Sequence, residues 1–118
     1  MSYDISLRDP VTKENILFDA AHQMYGGTHA IGGTKEAWLN ITYNYAPHYY
    51  EVLGEKGIRT IYGMTGAESI PILQAAADRL GDDISDDYWE STEGNAKRPL
   101  LQLVAMAQMR PDGIWGGD

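Results

Sequence analysis

Eight tyrosines and three tryptophans stand against a single phenylalanine, Phe18. Tyr and Trp carry flat apolar area with a hydrogen-bonding tip, which suits them to gripping a ligand from a wet surface. A chain that only had to fill a core would draw on Phe more freely. The rings are densest from Trp38 to Tyr50, where Asn40, Thr42 and Asn44 are interleaved with Tyr43, Tyr45 and Tyr49. Such rings stack on nucleobases, contributing about 1–3 kcal/mol per base, and Asn amides read base edges or ribose hydroxyls. This segment is the first candidate binding surface.

Nucleophilic and metal chemistry have less to build on. The chain has no cysteine, which excludes thiol catalysis, disulfides and thiolate metal sites. No Gly-x-Ser-x-Gly elbow is present, and no Walker sequence supports nucleotide hydrolysis. His22, His29 and His48 lie seven and nineteen residues apart, spacings that do not set two ligands on one helix face. His29, inside the run Gly26-Gly-Thr-His-Ala-Ile-Gly-Gly-Thr34, is the best lone general-base candidate, although an ordinary surface histidine is the commoner explanation for it. Asp82, Asp83, Asp86, Asp87, Glu90 and Glu93 form the densest acidic run. Its spacing does not match a calcium loop; it suits a solvated connection, a two-carboxylate magnesium site or imitation of DNA charge.

Phosphate recognition has two candidate helix starts, Met64-Thr-Gly-Ala67 and Thr92-Glu-Gly-Asn-Ala-Lys97-Arg98, where glycine and small polar residues would leave amides pointing outward. Arg59 adds a guanidinium suited to a two-pronged grip on phosphate. Together with the aromatic segment these features point to a ligand with both a flat ring and a phosphate. The candidate ligand-binding residues are Trp38, Asn40, Asn44, Tyr49, Arg59, Thr65, Trp89, Asn95 and Lys97. No catalytic or metal-ligating set and no cofactor is expected, so the reading is a binder rather than an enzyme.

The elements that must position these residues follow from periodicity and turn chemistry. At 118 residues the chain fits one domain, residues 1–118. Its 17 acids against 9 bases, a net charge of -8, disfavour any extended nucleic-acid contact. No apolar run is long enough to span a bilayer and Met1-Ser-Tyr-Asp4 lacks signal-peptide character, so no membrane partner and a cytoplasmic location are expected. Ser2 to Arg8 alternates as a half-buried strand, and 14–19 reads as a second strand pairing with it across 9–13. Residues 25–34 are too glycine-rich for anything but loop. From Ala37 to Tyr45 the alternation sets Leu39, Ile41, Tyr43 and Tyr45 on a core face and Trp38, Asn40, Thr42 and Asn44 on the other. Pro47 opens a short helix to Leu53, and 57–62 reads as extended. Thr65 to Glu68 is a capping box for a helix carrying Ile70, Leu73, Ala77 and Leu80; a last helix runs to Met109 with Leu100, Leu103, Val104 and Ala107 on one face. The expected fold is α+β, a small antiparallel sheet of three to four strands packed against three helices. A domain this small has little interior to spare for a ligand, which suggests a homo-oligomer, a dimer, with the pocket near its interface.

The strings Glu36-Ala-Trp-Leu-Asn-Ile-Thr-Tyr-Asn-Tyr45, Tyr62-Gly-Met-Thr-Gly-Ala-Glu-Ser-Ile-Pro71, Tyr88-Trp-Glu-Ser-Thr-Glu-Gly-Asn-Ala96 and Arg110-Pro-Asp-Gly-Ile-Trp-Gly-Gly-Asp118 resemble a family of small phage and prophage proteins, a label that carries no activity. In size, acidity and lack of catalytic residues the chain is similar to phage sponges that sequester nucleotide immune signals. Among these are the anti-Thoeris sponges, which hold ADP-ribose derivatives such as cyclic ADP-ribose or histidine-ADP-ribose. The resemblance implies a non-enzymatic binder of such a signal in an infected bacterial host. The alternatives left open are an acidic protein that blocks a host factor through residues 82–93, a small nucleotide-cleaving enzyme built on His29 or a carboxylate pair, and a virion structural role.

Overall fold

The computed structural model describes residues 2–22, 33–87 and 89–118. In chain order the elements are β1 Ser2–Arg8, β2 Leu17–His22, β3 Thr34–Glu36, β4 Trp38–Thr42, α1 Ala46–Leu53, α2 Gly66–Asp78, α3 Glu93–Met109 and β5 Ile114–Gly117, with 3-10 turns at Tyr43–Tyr45 and Gly57–Ile61. The expected α+β architecture is present, with two antiparallel sheets and three helices. His29 and the first Gly-Gly-Thr triplet lie outside the described residues.

β1 is the middle strand of the larger sheet, with β4 on one edge and β5 on the other. Register sets Tyr3 opposite Ile41, Ile5 opposite Leu39 and Leu7 opposite Trp115, so the residues of one sheet face are apolar across all three strands. These side chains join Leu73, Ala76 and Ala77 of α2 and Leu100, Leu103 and Ala107 of α3 in one core. Burying each large aliphatic side chain contributes about 1.5–3 kcal/mol, which is what holds the helices on the sheet. No helix among the described residues is long and apolar enough to cross a membrane.

Local signals hold where local chemistry decides. Thr65 caps α2 through its side chain and Glu68 reaches back to the Thr65 amide, completing the capping box. Thr92 caps α3 by accepting from the Asn95 amide. Proline sits in the first turn of α1, and Gly54 closes that helix at φ 99°.

Three expectations are corrected, and one strand is added. Residues 14–19 do not form a strand hydrogen-bonded along β1. The turn is there, with Asp9 Oδ1 accepting from the Val11 and Thr12 amides and Ile16 N–H donating to the Leu7 carbonyl. Beyond it the chain swings away, because β4 already occupies β1 from Ser6 inward, and β2 pairs with β3 instead. The strand from Ala37 ends at Thr42, whose hydroxyl accepts from the Asn44 amide and starts a 3-10 turn. Residues 57–61 are also a 3-10 turn rather than extended, with Ile58 and Ile61 both buried and only Tyr62 in extended backbone. β5 was not expected at all: two glycines in Ile114-Trp-Gly-Gly117 erase the alternation that marks a strand.

Candidate functional site

The aromatic segment divides once its partners are known. Tyr49 is 0% exposed and its hydroxyl donates to the Ala96 carbonyl at 2.8 Å, so it belongs to the core and is corrected as a stacking residue. Burial pushes that hydroxyl well above its ordinary pKa. Asn40 is 9% exposed, and its Nδ2 donates to Ser2 Oγ and Asp4 Oδ1, both at 2.8 Å, across the β1–β4 pair. Its buried Oδ1 has no partner among the described residues. Thr42 is buried and Trp38 half-buried against the core, so the polar face of β4 is not the open shelf that alternation suggested. Asn44 is exposed, but its Nδ2 donates to the Trp89 carbonyl at 2.9 Å.

Both helix starts are closed to phosphate. At α2 the amide of Thr65 donates to Glu68 Oε1, that of Gly66 to the Gly113 carbonyl, that of Ala67 to the Pro111 carbonyl and that of Glu68 to Thr65 Oγ1. At α3 the amides of Gly94, Asn95 and Ala96 donate to the Asp83 carbonyl, Thr92 Oγ1 and the Thr92 carbonyl. The two glycines answer to backbone crowding: a Cβ at Gly94 would lie 2.6 Å from the Asp83 carbonyl oxygen, and one at Gly66 would lie 3.0 Å from that of Arg110. Asn95 is buried and ties down the acidic run, and Lys97 pairs with Asp82 at 2.8 Å. The expected phosphate contacts of Thr65, Asn95 and Lys97 are therefore made to the protein itself.

Arg59 stands elsewhere. Its guanidinium carbon lies 4.7 Å from the centre of the Tyr3 ring and 5.9 Å from that of Tyr43, while Nε donates to the Asp118 backbone oxygen at 2.8 Å. Tyr3 is pushed up to about 12, by burial first and then by its neighbours Tyr50 and Tyr43, against the opposing pull of Arg59. Tyr62 rises to about 12 through burial and the nearby charge of Asp118. An unfolded tyrosine loses its proton near pH 10, so between about 10 and 12 the unfolded chain holds fewer protons than the folded one and stability falls as pH rises. Each of the two contributes up to about tenfold per pH unit to the unfolding equilibrium over that window. Denaturant titrations from about pH 9 to 11.5 measure this; a flat profile would show that these tyrosines titrate as in water.

The hollow with the most ligand-like surroundings is one the sequence did not single out. A groove of about 480 Å³ opens between β2 and α3. Phe18, Asp19, Ala20 and His22 form one wall, and Gln102, Ala105, Met106 and Met109 the other. The Phe18 and His22 rings meet edge-on at 6.5 Å, and the His22 ring is fixed by a 2.6 Å hydrogen bond between Nε2 and the Glu36 carbonyl. Gln102 has its amide oxygen buried with no partner among the described residues. A buried, unbonded amide oxygen costs about 1–3 kcal/mol until something donates to it. Met106 and Met109 supply pliable apolar surface that conforms to flat ligands. The signal available in sequence was the width of the α3 apolar face: Met106 and Met109 continue it beyond the stripe of Leu100, Leu103 and Ala107.

Among the described residues no three His, Asp or Glu side chains group as a metal site. Comparison with known proteins returns no matching family, no matching curated protein and no matching solved structure.

Proposed function

We propose that this chain is a non-enzymatic binding protein that sequesters a nucleotide-derived signal, with the ligand's ring held in the groove between β2 and α3. The observation that carries the proposal is an apolar groove with Gln102 on its wall, a residue whose amide oxygen is buried with no partner among the described residues. Gln amides pair in two-pronged fashion with the N6 and N7 edge of adenine, and Phe18 with Met106 and Met109 supplies the surface a ring would lie against. The setting follows from the likeness to phage and prophage proteins: in the cytoplasm of an infected bacterium, holding such a signal stoichiometrically would keep it from its receptor. Sequestration requires no turnover, so a preformed groove suffices.

Thermal shift and calorimetry with adenosine, adenine nucleotides and ADP-ribose derivatives test this, with the ligand recovered intact after heat denaturation of the protein. Ala105 is exposed on the groove wall, so Ala105→Trp fills the groove without entering the core. It is expected to abolish binding at an unchanged melting temperature, and Gln102→Ala to weaken binding about tenfold. Binding that survives Ala105→Trp would place the ligand elsewhere, and recovery of a cleaved product would make the protein an enzyme.

A second reading rests on Ile84 and Trp89, which are 61% and 44% exposed amid the acidic run. Apolar side chains ringed by carboxylates suit a basic surface on another protein. Reversing the charges of Asp83, Asp86 and Glu90 would end that activity and leave the groove untouched.

A further inference from the structure

We infer that the groove's ligand is anionic at one end, and that Arg98 is the residue that receives its phosphate; the inference rests on the groove being the binding site. Arg98, Gln102, Ala105 and Met109 succeed one another at four-, three- and four-residue steps along α3. Those steps keep side chains on one flank of a helix, and 11 residues at 1.5 Å each make a line of about 16 Å. The apolar groove occupies the Met109 end of this line. At the other end lies a second hollow, of about 270 Å³, bounded by Asp82, Ile84, Gly94, Lys97, Arg98 and Leu101. Arg98 is the one residue of this line that bounds the second hollow.

The state of Arg98 sets it apart from the other arginines. Arg8 is held by Ser6, Arg59 by Tyr43 and Asp118, Arg79 by the Val52 carbonyl and Arg110 by Asp112 and Asp9. Its neighbour Lys97 is fixed to Asp82. Arg98 is exposed and makes no hydrogen bond or ion pair among the described residues. An unengaged guanidinium about 6 Å along the helix from a base-reading amide matches the order of parts in a nucleotide, ring first and phosphate next. It offers two parallel N–H donors to one phosphate group.

The surrounding charge sharpens the ligand class. With a net charge of -8 and Asp19 on the groove wall, a bare anion is repelled overall. A phosphate is accepted at Arg98 only when a buried ring carries it there. The ligand class is therefore a nucleoside bearing one or more 5′-phosphates, lying with its ring toward Met109 and its phosphate toward the start of α3.

Calorimetry at about 50 mM salt, with adenosine, ADP and inorganic phosphate as probes, separates the outcomes. ADP is expected to bind at least tenfold more tightly than adenosine, and inorganic phosphate not measurably. Arg98→Ala should lower ADP to the affinity of adenosine, leave adenosine unchanged and keep the wild-type melting temperature; Arg98→Lys should retain only part of the ADP advantage. Equal affinity of the unaltered protein for ADP and adenosine, or an ADP affinity unmoved by Arg98→Ala, overturns this inference while the groove reading stands. If neither adenosine nor ADP binds, the groove reading itself fails and takes the inference with it.

Discussion

Replacing Trp115 by alanine is expected to lower the unfolding free energy by about 3–5 kcal/mol, a large part of what a domain of this size holds. Trp115 is 2% exposed, at the centre of β5 and directly opposite Leu7 of β1. Its indole Nε1 donates to Ser69 Oγ at 2.7 Å, and that hydroxyl donates to the Gly66 carbonyl at 2.8 Å, so one side chain locks the sheet to the first turns of α2. Its backbone is held as well, by Met64 and Gly63. Trp115→Phe keeps much of the buried area and removes only the indole donor, so a smaller loss of about 1 kcal/mol is expected. Urea denaturation read as a midpoint change at constant slope measures both. A loss below about 1 kcal/mol for the alanine variant would mean that β5 is not integral to the core.

Asn95→Ala is expected to cost about 2–3 kcal/mol, expressed mainly as release of residues 82–92 rather than global unfolding. The Asn95 carbonyl accepts from the Ser85 amide at 3.3 Å, and its Nδ2 donates to the carbonyls of Asp87 and Glu90, both at 3.1 Å. One amide thus satisfies three backbone groups of a segment whose described residues form no helix or strand. Asn95→Asp would fare worse than alanine, because it replaces both donors with a carboxylate facing two carbonyls. Hydrogen exchange checks this: the Ser85 amide should lose protection while Leu103 and Ile5 keep theirs. Unchanged protection at Ser85 would show that other contacts carry the segment.

What was legible in the sequence was what local chemistry decides. The alternation in β1, the proline opening α1, the capping box at Thr65 and the Thr92 cap all depend on residues within a turn of each other. β5 and the departure of β2 from β1 depend on which strand reaches an edge first, and nothing within a few residues encodes that. The candidate site failed for a related reason. Asn40, Asn95 and Lys97 are residues that can grip something polar and Tyr49 one that can stack, and each is engaged; but the partner is another part of the chain. A side chain's type states what it can bond and not whether the fold has already supplied the bond. The groove joins Phe18 to Met109, positions far apart in sequence, so only its α3 half left a trace there, in the breadth of the apolar face.

The central place of β1 has a consequence for synthesis. Ile5 pairs with Leu39 on one side and with Gly117 on the other. Chains leave the ribosome from their N-terminal end, so the first strand made has to wait for residues 114–117 before its second edge is covered. Until then it presents unpaired backbone beside an apolar face, a template on which nascent copies can pair with one another. Peptides released early, anywhere between residues 43 and 113, would carry that uncovered edge permanently and gather as aggregates rather than persist as soluble fragments.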